Sequence, residues 1–207
     1  MTSEDVYATA KPGLRARAAS IAAGRARRRR HERLFALTRV TPQSRIVDIG
    51  CGRLGLRRHE PGRDITGVDM TERPDYPGPF VRADATQGLP FADGEFDLAY
   101  CASVVEHVPR ERRDAFAREL RRVARGWYVQ TPAYSFPIEP HALLPAAHWL
   151  APALRRPYWR LGVAGDWEDI ALLRRHEMAA LFGPPVGERV GPLTKSWVSV
   201  RAIGADA

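Results

Sequence analysis

The sequence predicts an α/β fold built on an open, mostly parallel sheet, and two observations carry that prediction. After Thr41-Pro42, short apolar runs alternate with stretches of helical character, the pattern of strands joined by crossovers. Three of the first four runs also end at glycine or an acid, at Gly50, Asp69 and Asp84. Those residue types suit the edge of such a sheet where ligands bind. With 207 residues, 44% hydrophobic and 27% charged, the chain can bury a core as one domain, or one domain plus a small extension.

Residues 1–13 have weak periodicity and break at Lys11-Pro12-Gly13, so they read as a loose start. Residues 14–38 read as a helix, first Ala-rich and then Arg-rich, with Ile21, Leu34, Phe35 and Leu37 apolar. Residues 1–40 are therefore expected to be a basic helical extension and 41–207 the main domain. Strands are expected over 45–49, 65–69, 80–84, 96–101 and 127–131. The clearest helix lies between the last two. Pro109 suits its first turn, Phe116, Leu120 and Val123 its buried side, and Gly126 the position past its end. Its arginines (Arg112, Arg113, Arg118, Arg121 and Arg122) balance Glu111, Asp114 and Glu119, which predicts a solvated face and no binding patch.

Residues 132–166 interrupt the alternation with six prolines and the aromatics Trp149, Tyr158 and Trp159. A helical stretch capped by Asp166 is expected to run to Phe182, with a separate start at Arg174-Arg175 as the alternative. Gly183-Pro184-Pro185 ends it. Segments 186–190 and 196–202 then read as two closing antiparallel strands.

No apolar run approaches the roughly 18–20 residues that span a bilayer. Glu4 and Asp5 near the start, with no apolar segment after them, argue against a secretory leader. Two cysteines, Cys51 and Cys101, exclude a disulfide scaffold and point to a cytoplasmic setting. The net charge of +8 is confined to residues 1–45, which hold eleven basic and three acidic residues; the remainder is neutral. Arg25 to Arg30 are placed to grip nucleic-acid phosphates or to touch an anionic lipid surface peripherally. The plainer alternative is a solvated helix face whose arginine stems lie over apolar neighbours.

Gly50 and Gly52 remove side chains where the backbone must turn and approach a ligand. Asp69, 17 residues after Gly52, stands near the spacing at which a carboxylate meets a ribose diol. Asp84 is placed to accept from an exocyclic adenine amine. Together they point to a nucleoside site. The segment from Gly50 to Gly55 formally satisfies the dinucleotide Gly-x-Gly-x-x-Gly pattern. Against it stands Asp48, a carboxylate useless to a pyrophosphate but suited to an amino-acid ammonium. Residues 53–64 also leave only about two helical turns, and no second domain follows for hydride transfer.

In these motifs the chain resembles the class I S-adenosylmethionine-dependent methyltransferases, in the broad type 11 group. The resemblance rests on Val47-Asp48-Ile49-Gly50-Cys51-Gly52, Gly67-Val68-Asp69-Met70, Ala83-Asp84-Ala85, Leu89-Pro90-Phe91, Phe96-Asp97-Leu98-Ala99-Tyr100-Cys101 and Val105-Glu106-His107-Val108. It covers roughly 45–131. It implies a Rossmann-like, seven-stranded, mostly parallel sheet with the last strand antiparallel and helices on both faces. It implies S-adenosyl-L-methionine as methyl donor and S-adenosyl-L-homocysteine as product. Gly50, Cys51 and Gly52, with Asp48, would hold the methionine moiety, Asp69 and Met70 the ribose, Asp84 and Ala85 the adenine, and Cys101 and Ala102 the methionine end. The chain departs from the family at Leu54, where a third glycine is usual and Gly55 follows one residue late, and in its short first crossover.

A sulfonium donor is already activated, so the protein's task is in-line positioning. A base matters only where the acceptor must lose a proton. His107 after the fourth strand, and Glu139 and His141 after the fifth, are the candidates; His107 reads equally as a structural residue at a helix start. No His/Cys spacing supports a metal among these three, so none is expected. Residues 132–166 are expected to form a lid over the acceptor, with an interfacial patch or a packed insertion as alternatives. The expected activity is methyl transfer to an O, N or C atom of a small, partly apolar acceptor. The alternatives are a nucleic-acid methyltransferase using the arginine-rich helix, and a cofactor-binding protein without turnover.

Overall fold

The structure, a computed structural model, describes residues 30–163 and 170–205. Its strands are β1 (Ile46–Ile49), β2 (Ile65–Asp69), β3 (Phe80–Arg82), β4 (Phe96–Ala102), β5 (Ala124–Pro132), β6 (Ile138–Glu139), β7 (Leu144–Pro145), β8 (Val186–Val190) and β9 (Leu193–Arg201). Seven of them form one sheet in the order β3-β2-β1-β4-β5-β9-β8. Neighbours from β3 through β5 are parallel, and β9 runs antiparallel between β5 and β8. This is the expected sheet. The chain leaves β1 outward through β2 and β3, then returns to β4 on the other side. The crevice between the carboxyl ends of β1 and β4 is therefore the switch point at which open sheets bind ligands.

All four residues of β1 are buried, because both faces of the sheet are covered. Helix α1 (residues 30–38) covers one face: Leu34, fully buried, packs with Ile46, Ile65, Leu98, Tyr128 and Val198. Helices α2 (Arg113–Val123) and α4 (Arg175–Phe182) cover the other through Phe116, Leu120, Val123, Met178 and Phe182, against Val47, Ile49 and Val129. The connection from β1 to β2 holds only a 3-10 turn, Leu56–Arg58, and those from β2 to β4 hold no helix. Helix α1 thus shields the face that a longer first crossover would occupy. Residues 14–29 of the expected N-terminal helix, with Arg25 to Arg29, lie outside the described residues.

Three local expectations are corrected. The helix after β4 starts at Arg113, because Pro109 is extended and residues Arg110–Arg112 form a 3-10 turn. Gly126 does not end the helix, which stops at Val123, but lies inside β5, where an added Cβ would lie 2.7 Å from the Arg201 carbonyl oxygen. Arg113 is not solvated: only 4% exposed, it donates to the carbonyls of Val108 (3.0 Å) and Ala171 (2.6 Å). Helix α4 begins at the alternative start, with the Arg174 N–H donating to the Glu177 carboxylate at 2.7 Å; Asp166 lies outside the described residues.

Residues 132–163 are more ordered than their prolines suggest. They hold the β6–β7 hairpin, a 3-10 turn Ala147–Trp149 and helix α3 (Pro152–Trp159). Pro152 suits the first turn of α3, and Pro157 is tolerated inside so short a helix. The segment builds a small core of its own from Ala142, Leu144, Ala147 and Trp159, with Ile170 and Leu172. Among the described residues no helix is long and apolar enough to cross a membrane.

Candidate functional site

A cavity of about 300 Å³ opens at the carboxyl ends of β1 and β2, at the small end of the range for small-molecule sites. Its walls are Ile49 at the end of β1 and Gly50 after it, Val68, Asp69 and Met70 at the end of β2, and residues 83–86 after β3. Val104, His107, Val108 and Pro109 after β4 close the far side, with Arg112 and Phe116.

The glycine loop is shaped by contacts that only glycine allows. Gly50 has φ +72°, and a Cβ there would collide with the Val104 side chain. The Gly50 and Cys51 N–H groups both donate to the Val68 carbonyl, at 2.8 and 3.1 Å, which binds the loop to β2. Asp69, 3% exposed, completes the join. Its carboxylate accepts from the Gly52 N–H at 3.0 Å and the Thr71 N–H at 2.9 Å, and Arg73 stands 3.5 Å away.

Asp48 lies beneath the loop rather than on the cavity wall. It is 2% exposed and accepts from the Leu56 N–H at 2.6 Å. Gly55, at φ +51°, makes that possible, since a Cβ there would run into the Asp48 carboxylate. The late glycine therefore serves the turn under the acid. Cys51, Gly52, Cys101 and Ala102 also stand off the cavity wall. Both cysteines are free and buried. Burial pushes both thiols up, with Asp48 adding to the effect in each, so they remain neutral packing residues.

Asp84 lies beyond the end of β3, on the cavity wall beside Ala85. Partial burial pulls its carboxyl upward. The Thr86 N–H (2.8 Å), the Gln87 amide (2.8 Å) and the charge of Arg112 outweigh that and hold it below the usual range. It stays ionised, with lone pairs to spare for a donor.

The catalytic candidates gather where β4 and β5 deliver their following loops. Glu139 and His141 are 1% and 2% exposed. One Glu139 oxygen lies 2.8 Å from His141 Nδ1, and the other accepts the backbone N–H groups of His141 (2.9 Å) and Ala142 (2.5 Å). The His107 and His141 rings meet edge to face, with centroids 5.1 Å apart. His107 also lines the cavity, so the group adjoins the ligand space. The sequence reading missed Thr86, Val104, Phe116 and Arg112, the last assigned to a solvated face. It also missed Glu106, buried beside His107 and bonded to Thr131 Oγ1 at 2.9 Å.

Residues 47–126 match the sequence model of a methyltransferase domain family. No curated protein matches the chain. Among solved structures, a protein from Pyrococcus horikoshii OT3 superposes with a TM-score of 0.60 at 19% identity, over 85% of this chain and 89% of that one. Magnesium protoporphyrin IX methyltransferase from Synechocystis PCC 6803, solved with bound S-adenosylhomocysteine, gives 0.60 at 14% identity, over 96% and 92%. The 1,6-didemethyltoxoflavin-N1-methyltransferase of Burkholderia thailandensis gives 0.53 at 14% identity, over 84% and 76%. With several other structures the chain spans only 44% to 52% of their length. At these identities the solved structures speak for the fold, and the sequence match speaks for the family. Residues 47–126 thus carry a methyltransferase-domain sequence, and the chain around them has the fold of these solved structures.

Proposed function

We propose that the protein transfers the methyl group of S-adenosylmethionine to a small, partly apolar acceptor. The observation that carries this reading is the cavity at the switch point, walled by Gly50, Asp69 and Asp84, within a stretch that matches a methyltransferase domain. The residues fit the cofactor's parts. Asp69 faces the cavity with a carboxylate that accepts from a ribose diol, in exchange for Arg73. Ile49, Val68, Val108 and Phe116 offer apolar walls to an adenine, and Asp84 an acceptor for its amine. When bound, the cofactor supplies an electrophilic methyl on sulfur. The chain's own part is to hold an acceptor in line with it and exclude water.

The acceptor side is assigned to residues 132–163, whose hairpin brings Glu139 and His141 to His107 at the cavity edge. Glu139 bonded to His141 Nδ1 fixes the tautomer and leaves Nε2 as the nitrogen for proton traffic. The two relatives named for porphyrin and toxoflavin chemistry act on small molecules, which supports a small acceptor here. The free, buried cysteines support a cytoplasmic setting.

The test is turnover. Wild type should release S-adenosylhomocysteine with at least one member of a panel of phenols, carboxylic acids and nitrogen heterocycles. His141→Ala should keep its affinity for S-adenosylhomocysteine while losing turnover roughly 10²- to 10⁴-fold, the usual worth of acid–base assistance. Equal turnover in both proteins would leave His141 a structural residue. No product across the panel, with the cofactor bound, would favour a binding protein without turnover.

A further inference from the structure

We propose that Glu106, His107 and His141 form a divalent transition-metal site on the acceptor side of the cavity. Each of the three offers a ligand atom, and these atoms lie within 4.8 Å of one another. No sequence spacing announces the set. Glu106 and His107 share the 3-10 turn Val105–His107 after β4, whereas His141 follows β6, and only the fold brings them together.

Glu106 supplies the independent evidence. It is 1% exposed, and one oxygen accepts from Thr131 Oγ1 at 2.9 Å. The other oxygen, Oε1, is sealed from solvent and has no hydrogen-bond partner. A buried carboxylate oxygen left in that state is costly; a cation among the three residues satisfies it.

The surroundings match what metal-ligating histidines need. His141 Nδ1 lies 2.8 Å from Glu139 Oε1, and Glu139 is itself held by the backbone N–H groups of His141 and Ala142. A carboxylate on one ring nitrogen orients the imidazole and raises the basicity of the other, the arrangement typical of metal sites. Two imidazoles and one carboxylate are a donor set for zinc with an open fourth position, or for iron(II) or manganese with more. Ligand atoms around zinc lie about 3.3 Å apart, given bonds of about 2.0–2.1 Å. Binding therefore closes the separations by at most about 1.5 Å, a movement within reach of side-chain rotation.

The role of the ion rests on the proposed function. With His107 on the cavity wall, the open position faces the acceptor. A hydroxyl or carboxyl oxygen bound there is held in place and gives up its proton more readily to water, so that with the ion bound the metal replaces His141 Nε2 as the group that promotes deprotonation. Glu139 is a positioning residue in this scheme, acting through His141.

The experiment is a titration of metal-stripped full-length protein with cobalt(II), followed by the visible absorption of a low-coordinate ion and by zinc competition. Wild type should bind one equivalent with micromolar or tighter affinity. Glu106→Gln, which keeps the Thr131 contact, and His141→Gln should each weaken binding at least tenfold. Glu139→Gln should cost about 10- to 100-fold, and His176→Gln, an exposed control, nothing. Crystals of wild type soaked in zinc should show an anomalous peak among the three side chains, which spares the proposal from any variant that misfolds. No peak there, or cobalt binding unaffected by both Glu106→Gln and His141→Gln, overturns it. Metal binding without S-adenosylhomocysteine binding would sink the methyltransferase reading and leave the site standing; the converse would do the opposite.

Discussion

Asp69→Ala probes the cofactor site and its scaffold at once. In the structure the carboxylate accepts from the Gly52 and Thr71 N–H groups and stands 3.5 Å from Arg73, at 3% exposure. A ribose diol adds donors to the same charged group. Hydrogen bonds to a charged partner are worth roughly 1.5–3 kcal/mol. Losing the ribose contacts should therefore weaken S-adenosylhomocysteine binding about ten- to a hundredfold. Alanine also strands the buried Gly52 N–H, a further cost of about 1–3 kcal/mol in stability, so melting should fall too. Asp69→Asn separates the effects: its carbonyl oxygen still receives the Gly52 N–H, so stability should largely recover while affinity stays reduced. Calorimetric titration and thermal melts of the three proteins give the numbers. An Asp69→Ala dissociation constant within twofold of wild type would refute the assignment of Asp69 to the ribose.

Gly55→Ala must hold alanine at φ +51° with its Cβ against the Asp48 carboxylate. Strain of this kind costs about 1–3 kcal/mol, so melting should drop by several degrees, and an unchanged melt would show that the loop relaxes freely. Leu34→Ala empties a fully buried position between α1 and the sheet and should cost about 2–5 kcal/mol; a loss under about 0.5 kcal/mol in denaturant melts would mean α1 contributes no core. Burial pulls His148 below its ordinary pKa of 6.5, against the hydrogen bond to the Tyr134 carbonyl. The unfolded chain then binds a proton more readily than the native one, so stability is intact above pH ~6.5 and falls as pH drops below it. His148→Gln should flatten the change in melting between pH 7.5 and 5.5, and an identical slope in the variant would contradict that.

The parallel strands are legible because strands buried on both faces read as near-continuous apolar runs, such as Leu98 to Ala102 in β4. The glycine loop and Asp69 were legible for a related reason: backbone approach and strand-end acids leave local traces. Other features depend on partners distant in sequence. Leu34 looks alike on a free helix and on one packed over Ile46 and Val198. Arg113 reads as a solvated helix residue until the carbonyl of Ala171, 58 positions away, is seen to receive it. Glu106 reads only as a motif residue, since its partner Thr131 lies 25 positions away on the neighbouring strand. The segment after β5 reads as irregular from sequence because Pro157 argues against the helix that Pro152 opens.

The most direct test of the central claim is calorimetric titration of the purified protein with S-adenosylhomocysteine, with NADH and NADPH in parallel. The cavity at Gly50 and Asp69 predicts one site of micromolar or tighter affinity for S-adenosylhomocysteine and none for either nicotinamide cofactor. Binding of NADH or NADPH alone would mean that the segment from Gly50 to Gly55 cradles a pyrophosphate, and would contradict the account.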